Sequence, residues 1–235
     1  MTVHAHTIYE QDELAAAHLA PAVCIVDADS LIRERLAATI RSEGWQVRTF
    51  ASAEELLAEP LLPVPGCILV DVELPGLSGL ELQSMLAARA EIPVIFASAH
   101  LDVQMTVRAM KAGAVDFLTK PVTRETLLSA VGEALERNRL TASREAELHV
   151  TRARFASLTP RERQVMQLVI CGLLNKQVAC ELGISQITVK VHRGRVMRKM
   201  RVSSLAGLVT LGAKLGLGGA DLRRGAHTST SAVAA

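Results

Sequence analysis

The chain has 235 residues, of which 49% are hydrophobic and 3% aromatic, and its formal net charge is +2. This length allows one large domain or two small ones with mostly aliphatic cores. No apolar run approaches the ~18 residues of a membrane span, and the N-terminus lacks the pattern of a secretory signal, so we expect a cytoplasmic protein with no membrane partner.

Charge is unevenly distributed along the chain. Residues 1–150 contain 12 Lys+Arg and 21 Asp+Glu, a net charge of −9, whereas residues 151–235 contain 14 Lys+Arg and 3 Asp+Glu, a net charge of +11. This difference favours two domains, and a small basic domain indicates nucleic acid as the first partner to consider. A basic surface that merely keeps the protein soluble is the alternative.

From Pro21 onward, strand-like runs alternate with helical ones. Strands are predicted at residues 22–26, 45–50, 67–70, 93–97 and 115–118, and helices at 31–40, from Ser52 onward, at 80–90, 103–112 and 125–139. Ser52 and Glu55 match a capping box. The alternation predicts an α/β fold, a doubly wound five-stranded parallel sheet with helices on both faces, followed by a small all-α domain.

Composition predicts the borders of these domains. The polar segment 139–156 reads as a helical linker, and the tail is rich in small residues, which favours disorder. We expect a flexible leader over residues 1–20, the sheet domain over 21–138, the linker over 139–156, the all-α domain over 157–217 and a disordered tail over 218–235. The four cysteines form no CxxC pair, so we expect reduced, mostly buried thiols.

Polar residues follow the predicted strands, at their carboxyl ends. In a doubly wound fold, ligands bind at that edge of the sheet. These residues are Asp27, Asp29, Asp71, Ser98 and Lys120. Carboxylates suit a hard cation such as Mg2+, whereas the lysine and hydroxyl suit a phosphoryl group. One aspartate would then act as the nucleophile and form an aspartyl phosphate.

Two segments carry a family resemblance, VDVELPGLSGLEL at 70–82 and AVDFLTKP at 114–121. Residues 21–138 thereby resemble the receiver domain of bacterial two-component response regulators. The resemblance implies that Asp71 accepts the phosphoryl group, that Lys120 contacts it next to a cis bond to proline, and that Ser98 is the switch hydroxyl. It also makes Phe117 the aromatic that turns inward on activation, although a plain core aromatic is an equal alternative.

The chain departs from this family after the first strand. Two adjacent acidic residues are usual there, but Ala28 replaces the second, which is normally a metal ligand. We therefore expect a weak Mg2+ site formed by Asp27, Asp71 and Glu73, unless Asp29 or a water substitutes. Because phosphoryl transfer depends on metal shielding, a pseudo-receiver that is never phosphorylated is the alternative.

The basic region contains the pattern of a helix-turn-helix over about 175–194. Thr159 and Pro160 begin a first helix, Asn175–Leu182 forms the second, and Gly183 and Ser185 lead into a third. On the third helix, Val189, Val196 and Met200 share one face and should anchor it to the core.

Residues 158–215 resemble the DNA-binding domain of LuxR/FixJ-type regulators. A recognition helix reads bases with residues near its N-terminus, and Lys190 and Val191 are suited to guanine and to a thymine methyl. The expected phosphate contacts are Lys176, Thr188, Arg193, Arg195 and Lys199. Gly194 allows close DNA approach or packing against a neighbour, and His192 is either a phosphate contact or a hydrogen-bonded interior histidine.

Together these features predict a transcription factor rather than an enzyme. The resemblance implies a histidine kinase as phosphodonor, promoter DNA and RNA polymerase as partners, and a homodimer on activation. An aspartate-nucleophile phosphohydrolase is disfavoured because position 73 is Glu rather than Asp. An interaction module whose basic domain binds acidic protein is a further alternative, and binding that ignores DNA sequence at every salt concentration would favour it.

Overall fold

The computed structural model describes residues 21–59, 66–87, 92–100 and 102–217. The predicted leader, the predicted tail and the end of the helix predicted at 80–90 lie outside these residues. The chain divides into two compact units, and the division falls between Ser143 and Arg144. Within the described ranges, no helix has the length and apolar character that crossing a membrane requires.

The first unit contains one parallel sheet, whose described strands are ordered β2-β1-β3-β4-β5. Its elements are β1 (Ala22–Val26), α1 (Ser30–Arg41), β2 (Gln46–Phe50), α2 (Ala53–Ala58), β3 (Gly66–Asp71), α3 (Gly79–Ala87), β4 (Val94–Ser98), α4 (Val103–Lys111), β5 (Asp116–Thr119) and the first part of α5 (Arg124–Ala156). This confirms the predicted five-stranded parallel α/β fold.

Both faces of the sheet are covered, which explains why its central strands read as continuous apolar runs. Strands β1, β3 and β4 are almost entirely buried, whereas the edge strand β2 is only partly buried. Residues of α1 and α5 pack on one face of the sheet, and residues of α2, α3 and α4 pack on the other. Because all the paired strands are parallel, their carboxyl ends lie at one edge of the sheet.

Helix α5 is a single 33-residue element. It includes the helix predicted at 125–139 and the whole of the segment 139–156 that reads as a helical linker, and the division between the two units falls within it. The absence of Pro and Gly from residues 140–155 leaves nothing to end the helix there.

The second unit is all-helical. After the last residues of α5 come α6 (Pro160–Ile170), α7 (Asn175–Leu182), α8 (Gln186–Met200) and α9 (Leu205–Lys214). The three α8 residues predicted to face the core, Val189, Val196 and Met200, are buried at 0–1% exposure, which confirms that prediction. They pack in one cluster with residues of α6, α7 and α9.

Two local predictions are wrong. Ser52 does cap α2, but the Glu55 carboxylate accepts from the backbone N–H of Ala51 at 2.7 Å instead of closing the box on Ser52. The cysteines are free but not mostly buried. Only Cys67 is buried, Cys24 is half-buried, and Cys171 and Cys180 are exposed at a helix end and on a helix surface.

Gly79 begins α3 directly beneath the end of β3, and a Cβ atom there would lie 2.4 Å from the backbone oxygen of Asp71. Because backbone must move to relieve this clash, we expect Gly79→Ala to lower the free energy of unfolding of the first unit by about 1–3 kcal/mol. Trp45 is the only tryptophan and lies in this unit, so its fluorescence in a urea titration measures the change.

Gly132→Ala is the matched control. Among the described residues its Cβ atom would meet only the Trp45 ring, at 4.0 Å, so the helix gains Ala propensity without a clash. We expect a gain of about 0.5–1 kcal/mol. Equal effects of the two substitutions on the free energy of unfolding would contradict the predicted clash at Gly79.

Candidate functional site

Two aspartates lie together where β1 and β3 end. Asp27 directly follows β1, and Asp71 is the last residue of the neighbouring β3, with Val26 and Val70 paired in register just before them. Lys120 follows β5, and its backbone N–H donates to the carbonyl oxygen of Ser98 at 2.8 Å. The Lys120–Pro121 peptide bond is cis, as the family resemblance implies.

We call Asp27, Asp71 and Lys120 the aspartate pocket, because a single ammonium group joins the two carboxylates. Lys120 Nζ donates to Asp27 Oδ2 at 2.7 Å and to Asp71 Oδ2 at 2.6 Å. The Asp27 side chain is 3% exposed and the Asp71 side chain 13%. Asp71 is therefore the carboxylate that a reactant reaches more readily.

The charges in the pocket depend on one another. Burial alone would lower the pKa of Lys120, but its hydrogen bonds to Asp27 and Asp71 and their negative charges outweigh burial and raise that pKa. Lys120 therefore stays protonated. One positive charge opposes two negative ones, so the three groups together carry a net negative charge that can attract a further cation.

Backbone groups fix the remaining carboxylate oxygens. Asp71 Oδ1 accepts from the N–H of Glu73 at 3.0 Å, and Asp27 Oδ1 accepts from the N–H of Asp29 at 2.9 Å. Each carboxylate is thus held through both of its oxygen atoms, which orients Asp71 before any reaction.

The side chains of the other two expected metal ligands have partners of their own. Asp29 Oδ1 caps α1 and accepts from Leu31 N at 2.8 Å and Ile32 N at 3.2 Å. The Glu73 carboxylate lies 3.2 Å from His100 Nδ1. In the part of the chain that the structure describes, no three acidic, histidine or cysteine side chains gather as a metal site, and the expected site of Asp27, Asp71 and Glu73 stays a prediction.

Two convergent carboxylates still fit Mg2+, which often binds one or two carboxylates and keeps several waters. Asp27 and Asp71 would hold the ion, and the methyl group of Ala28 supplies no third oxygen. The donor set therefore fits a weak site rather than a strong one.

Sequence reasoning missed Arg33, which lies on α1 close to Ala28, the position where the resembled family usually has a second acidic residue. Its Nη1 donates to the carbonyl oxygen of Asp27 and lies 3.4 Å from that of Ala28. The guanidinium thus adds positive charge beside the aspartate pocket. Its place one turn after Asp29 was the signal that could have revealed it, because residues four apart share a helix face.

The two expected switch residues are near the pocket but have local partners. Ser98 is 1% exposed, and its hydroxyl donates to the carbonyl oxygen of His100 at 3.0 Å and accepts from the N–H of His100 at 3.1 Å. Phe117 is half-buried, and its ring centroid lies 6.2 Å from that of Phe96. Phe117 is therefore neither fully packed nor free.

In the second unit, a buried glutamate ties the start of α6 to the end of α8. Glu162 Oε2 accepts from the N–H of Thr159 at 2.9 Å, which closes a capping box, and from Lys199 Nζ at 2.7 Å. Lys199 Nζ also donates to the carbonyl oxygen of Ser157 at 3.1 Å. The structure thus gives Lys199, which the sequence predicts as a phosphate contact, two partners inside the unit.

The turn before α8 forms as predicted. Gly183 adopts a positive φ of 63°, and the Ser185 side chain accepts from the N–H of Thr188. Lys190, Val191 and Arg195 are exposed on α8, and Lys176 is exposed on α7. Thr188 and Arg193 have side-chain partners within the unit, respectively Ser185 Oγ at 2.9 Å and Asn175 Oδ1 at 3.2 Å.

The sequence left the roles of two α8 residues, His192 and Gly194, undecided. A Cβ atom on Gly194 would meet nothing within 4 Å among the described residues, so packing within the unit does not require glycine there. His192 is half-buried, and its Nδ1 is buried without a hydrogen-bond partner in the described residues, so this atom does not fit the hydrogen-bonded alternative.

Comparisons with known proteins agree with both halves of this geometry. Residues 23–132 match the family described as response regulator receiver domain, and residues 156–211 match bacterial regulatory proteins, luxR family. The chain is 47% identical over 196 residues to nodulation protein W of Bradyrhizobium diazoefficiens, covering 83% of this chain and 86% of that one. It is 41% identical over 197 residues to the transcriptional regulatory protein FixJ of the same species, covering 83% and 96%.

A solved structure is also similar. The low-resolution structure of the response regulator StyR shares 46% identity with this chain at a TM-score of 0.77, covering 83% of this chain and 100% of StyR.

The Glu162–Lys199 pair makes the second unit sensitive to acid. Burial alone would raise the pKa of Glu162, but hydrogen bonds from Lys199 and Thr159 outweigh it and hold that pKa below its ordinary value of 4.5. The stabilisation is therefore present above about pH 4.5 and is lost as the pH falls through the folded-state pKa. Methyl NMR signals of the buried Met166 and Met200 report unfolding of this unit.

We expect Glu162→Gln to lower the free energy of unfolding of this unit by about 1–3 kcal/mol at pH 7 and to remove that acid dependence. Glu181→Gln, at an exposed position of the same unit, should change neither. A Glu162→Gln variant with the wild-type acid dependence would contradict the assignment.

Proposed function

Because the chain belongs to the two-component response regulators that join a receiver domain to a LuxR-type DNA-binding domain, we propose that phosphorylation of Asp71 switches its binding to promoter DNA. Members of this family regulate transcription and are not enzymes, and the receiver implies a histidine kinase as partner. The main observation that supports this proposal is the position of the Lys120 ammonium group, which contacts both Asp71 and Asp27. We keep residues 21–138, 139–156 and 157–217 as receiver, linker and DNA-binding domain.

The proposed chemistry is transfer of a phosphoryl group from a kinase phosphohistidine. A carboxylate oxygen of Asp71 forms a bond to phosphorus while the bond between phosphorus and the histidine nitrogen breaks, and the electron pair of that bond returns to the imidazole. Lys120 already contacts Asp71 at 2.6 Å, so its ammonium is placed to stabilise the charge on the phosphoryl oxygens. A bound Mg2+, held by Asp27 and Asp71, would shield the phosphoryl group from the carboxylates.

Ser98 and Phe117 are proposed to pass the change outward. For Ser98 to reach a phosphoryl oxygen, its hydroxyl must exchange its hydrogen bond to the His100 carbonyl for a stronger one to a charged acceptor. Phe117 is only half-buried, so an inward movement of its ring as Ser98 withdraws would bury further apolar surface. The phosphate thus biases a two-state element.

Dimerisation is proposed for the face that contains α4. Three of its apolar side chains, Val103, Val107 and Met110, are 71%, 45% and 44% exposed and follow one another at helical spacing. Pairing of this face in two copies would place two DNA-binding domains on one DNA molecule and strengthen binding through effective concentration. RNA polymerase is the proposed downstream partner.

On DNA, we propose that Lys190 and Val191 contact bases and that Lys176, Thr188, Arg193 and Arg195 contact phosphates. Lys199, the fifth expected phosphate contact, is half-buried and paired with Glu162, so we rank it after these four. Helix α8 contains five basic residues and no acidic one, which suits the major groove of a polyanion.

A second candidate keeps DNA binding but removes the phosphate. Ala28 provides no ligand, and the guanidinium of Arg33 lies beside the pocket, where its positive charge opposes the entry of a cation. In such a pseudo-receiver, a protein or ligand signal would act at the same surface.

Phosphorylation is tested by incubating the full-length protein with acetyl phosphate at varied Mg2+ and measuring intact mass. We expect one added phosphoryl group that requires Mg2+ and is absent in Asp71→Asn. Half-maximal labelling should need more Mg2+ than in Ala28→Asp, because that variant restores a third carboxylate. No adduct at any Mg2+ concentration in the wild type, together with labelling of Ala28→Asp, would establish the pseudo-receiver.

DNA recognition is tested with two single substitutions on α8, using duplexes selected from a random library and fluorescence anisotropy. Lys190→Ala should cost about 1–3 kcal/mol of discrimination at one base pair. Arg195→Ala should weaken all sequences alike and reduce the slope of log K against log salt by about 0.9. Wild-type binding that ignores DNA sequence would instead favour the interaction module.

A further inference from the structure

The most exposed large hydrophobic side chain among the described residues lies at the start of α8. Ile187 is 77% exposed, and it is the second residue of that helix. Nothing else in the described part of the second unit covers it. A β-branched residue at an exposed helical position is also less favourable than alanine, so local helix stability does not explain its presence.

Ile187 shares a face of α8 with the two proposed base contacts. Residues three and four apart on a helix are neighbours, which places Lys190 and Val191 one turn along from Ile187. Val191 is itself 47% exposed, so an ammonium group is flanked by two exposed apolar side chains. The buried residues Val189 and Val196 lie on the opposite face of the helix.

The charges around this face limit what can cover it. Helix α8 has no acidic residue, and Arg193, Arg195 and Arg198 follow directly after Lys190 and Val191. The surface that covers Ile187 must therefore be anionic overall and yet present an apolar group at the centre of the contact. The major groove of duplex DNA has both properties, because the thymine C5-methyl group projects into it between two rows of phosphates.

We propose that Ile187 is a specificity-determining residue that contacts the C5-methyl group of a thymine, next to the base pair that Lys190 reads. This inference rests on the proposed DNA binding and deepens it. Gly194 lies two turns along the same face with open space around its Cα, so the helix backbone presents no side chain that would hold this face away from the groove.

The experiment uses the full-length protein and the best duplex that it selects from a random library. Each thymine is replaced in turn by deoxyuridine, which lacks only the methyl group. We expect one replacement near the Lys190 base pair to weaken wild-type binding about four-fold, the effect of losing one buried methyl contact. Ile187→Ala should weaken binding to the unmodified duplex by a similar factor or more, and it should no longer respond to that replacement.

Two variants serve as controls. Val191→Ala should lose its response to a different thymine and keep the one assigned to Ile187. Val209→Ala, another exposed apolar position, should leave the whole deoxyuridine pattern unchanged. Because Ile187 is on the surface, Ile187→Ala should fold with an unchanged or higher Tm.

The outcomes of this experiment distinguish a failure of the proposed DNA recognition from a failure of the proposed thymine contact. If no sequence is selected, the proposed DNA recognition fails. If a sequence is selected but Ile187→Ala keeps every deoxyuridine effect of the wild type, the thymine contact is wrong. A change in protein-to-DNA stoichiometry in Ile187→Ala, with the deoxyuridine pattern retained, would assign Ile187 to a protein contact and also overturn the inference.

Discussion

The receiver unit depends on one lysine between two aspartates, one buried and one partly buried. Two carboxylates that are only 3% and 13% exposed would repel each other if nothing lay between them, and Lys120 contacts both within 2.7 Å. The same ammonium that makes this pair tolerable stands where the proposed phosphoryl group would need positive charge. The stabilising contact and the proposed reactive site therefore coincide.

The sheet makes this contact possible, because parallel strands end at one edge. Asp27 and Asp71 come from neighbouring strands, and Lys120 comes from the strand at the far edge, reached through β4. Ser98 ends β4 between them, and its hydroxyl is engaged with its own loop. Its partners are weak neutral groups, so a charged acceptor nearby would compete for it. Ala28 and Arg33 make this edge less acidic than two adjacent carboxylates would.

In the DNA-binding unit, the two faces of helix α8 have different roles. Buried valines and the Glu162–Lys199 pair fasten one face to the rest of the unit, while Ile187, Lys190 and Val191 stay uncovered on the other. Lys199 pairs with Glu162, and breaking this pair would leave a buried carboxylate without a partner, which costs free energy. Positive charge on a helix therefore does not by itself identify the residues that contact DNA.

The sequence by itself determined the parallel α/β sheet, the helix-turn-helix and the buried face of α8, because the spacing of apolar residues and the capping residues around Thr159 and Ser185 are local properties of the chain. It also determined that Asp71 and Lys120 follow strand ends. Only the tertiary structure decided what each charged group contacts. Glu73 lies beside His100, and Lys199 joins Glu162 across 37 residues. Such partners depend on distances between elements that are remote in sequence, which no local pattern records.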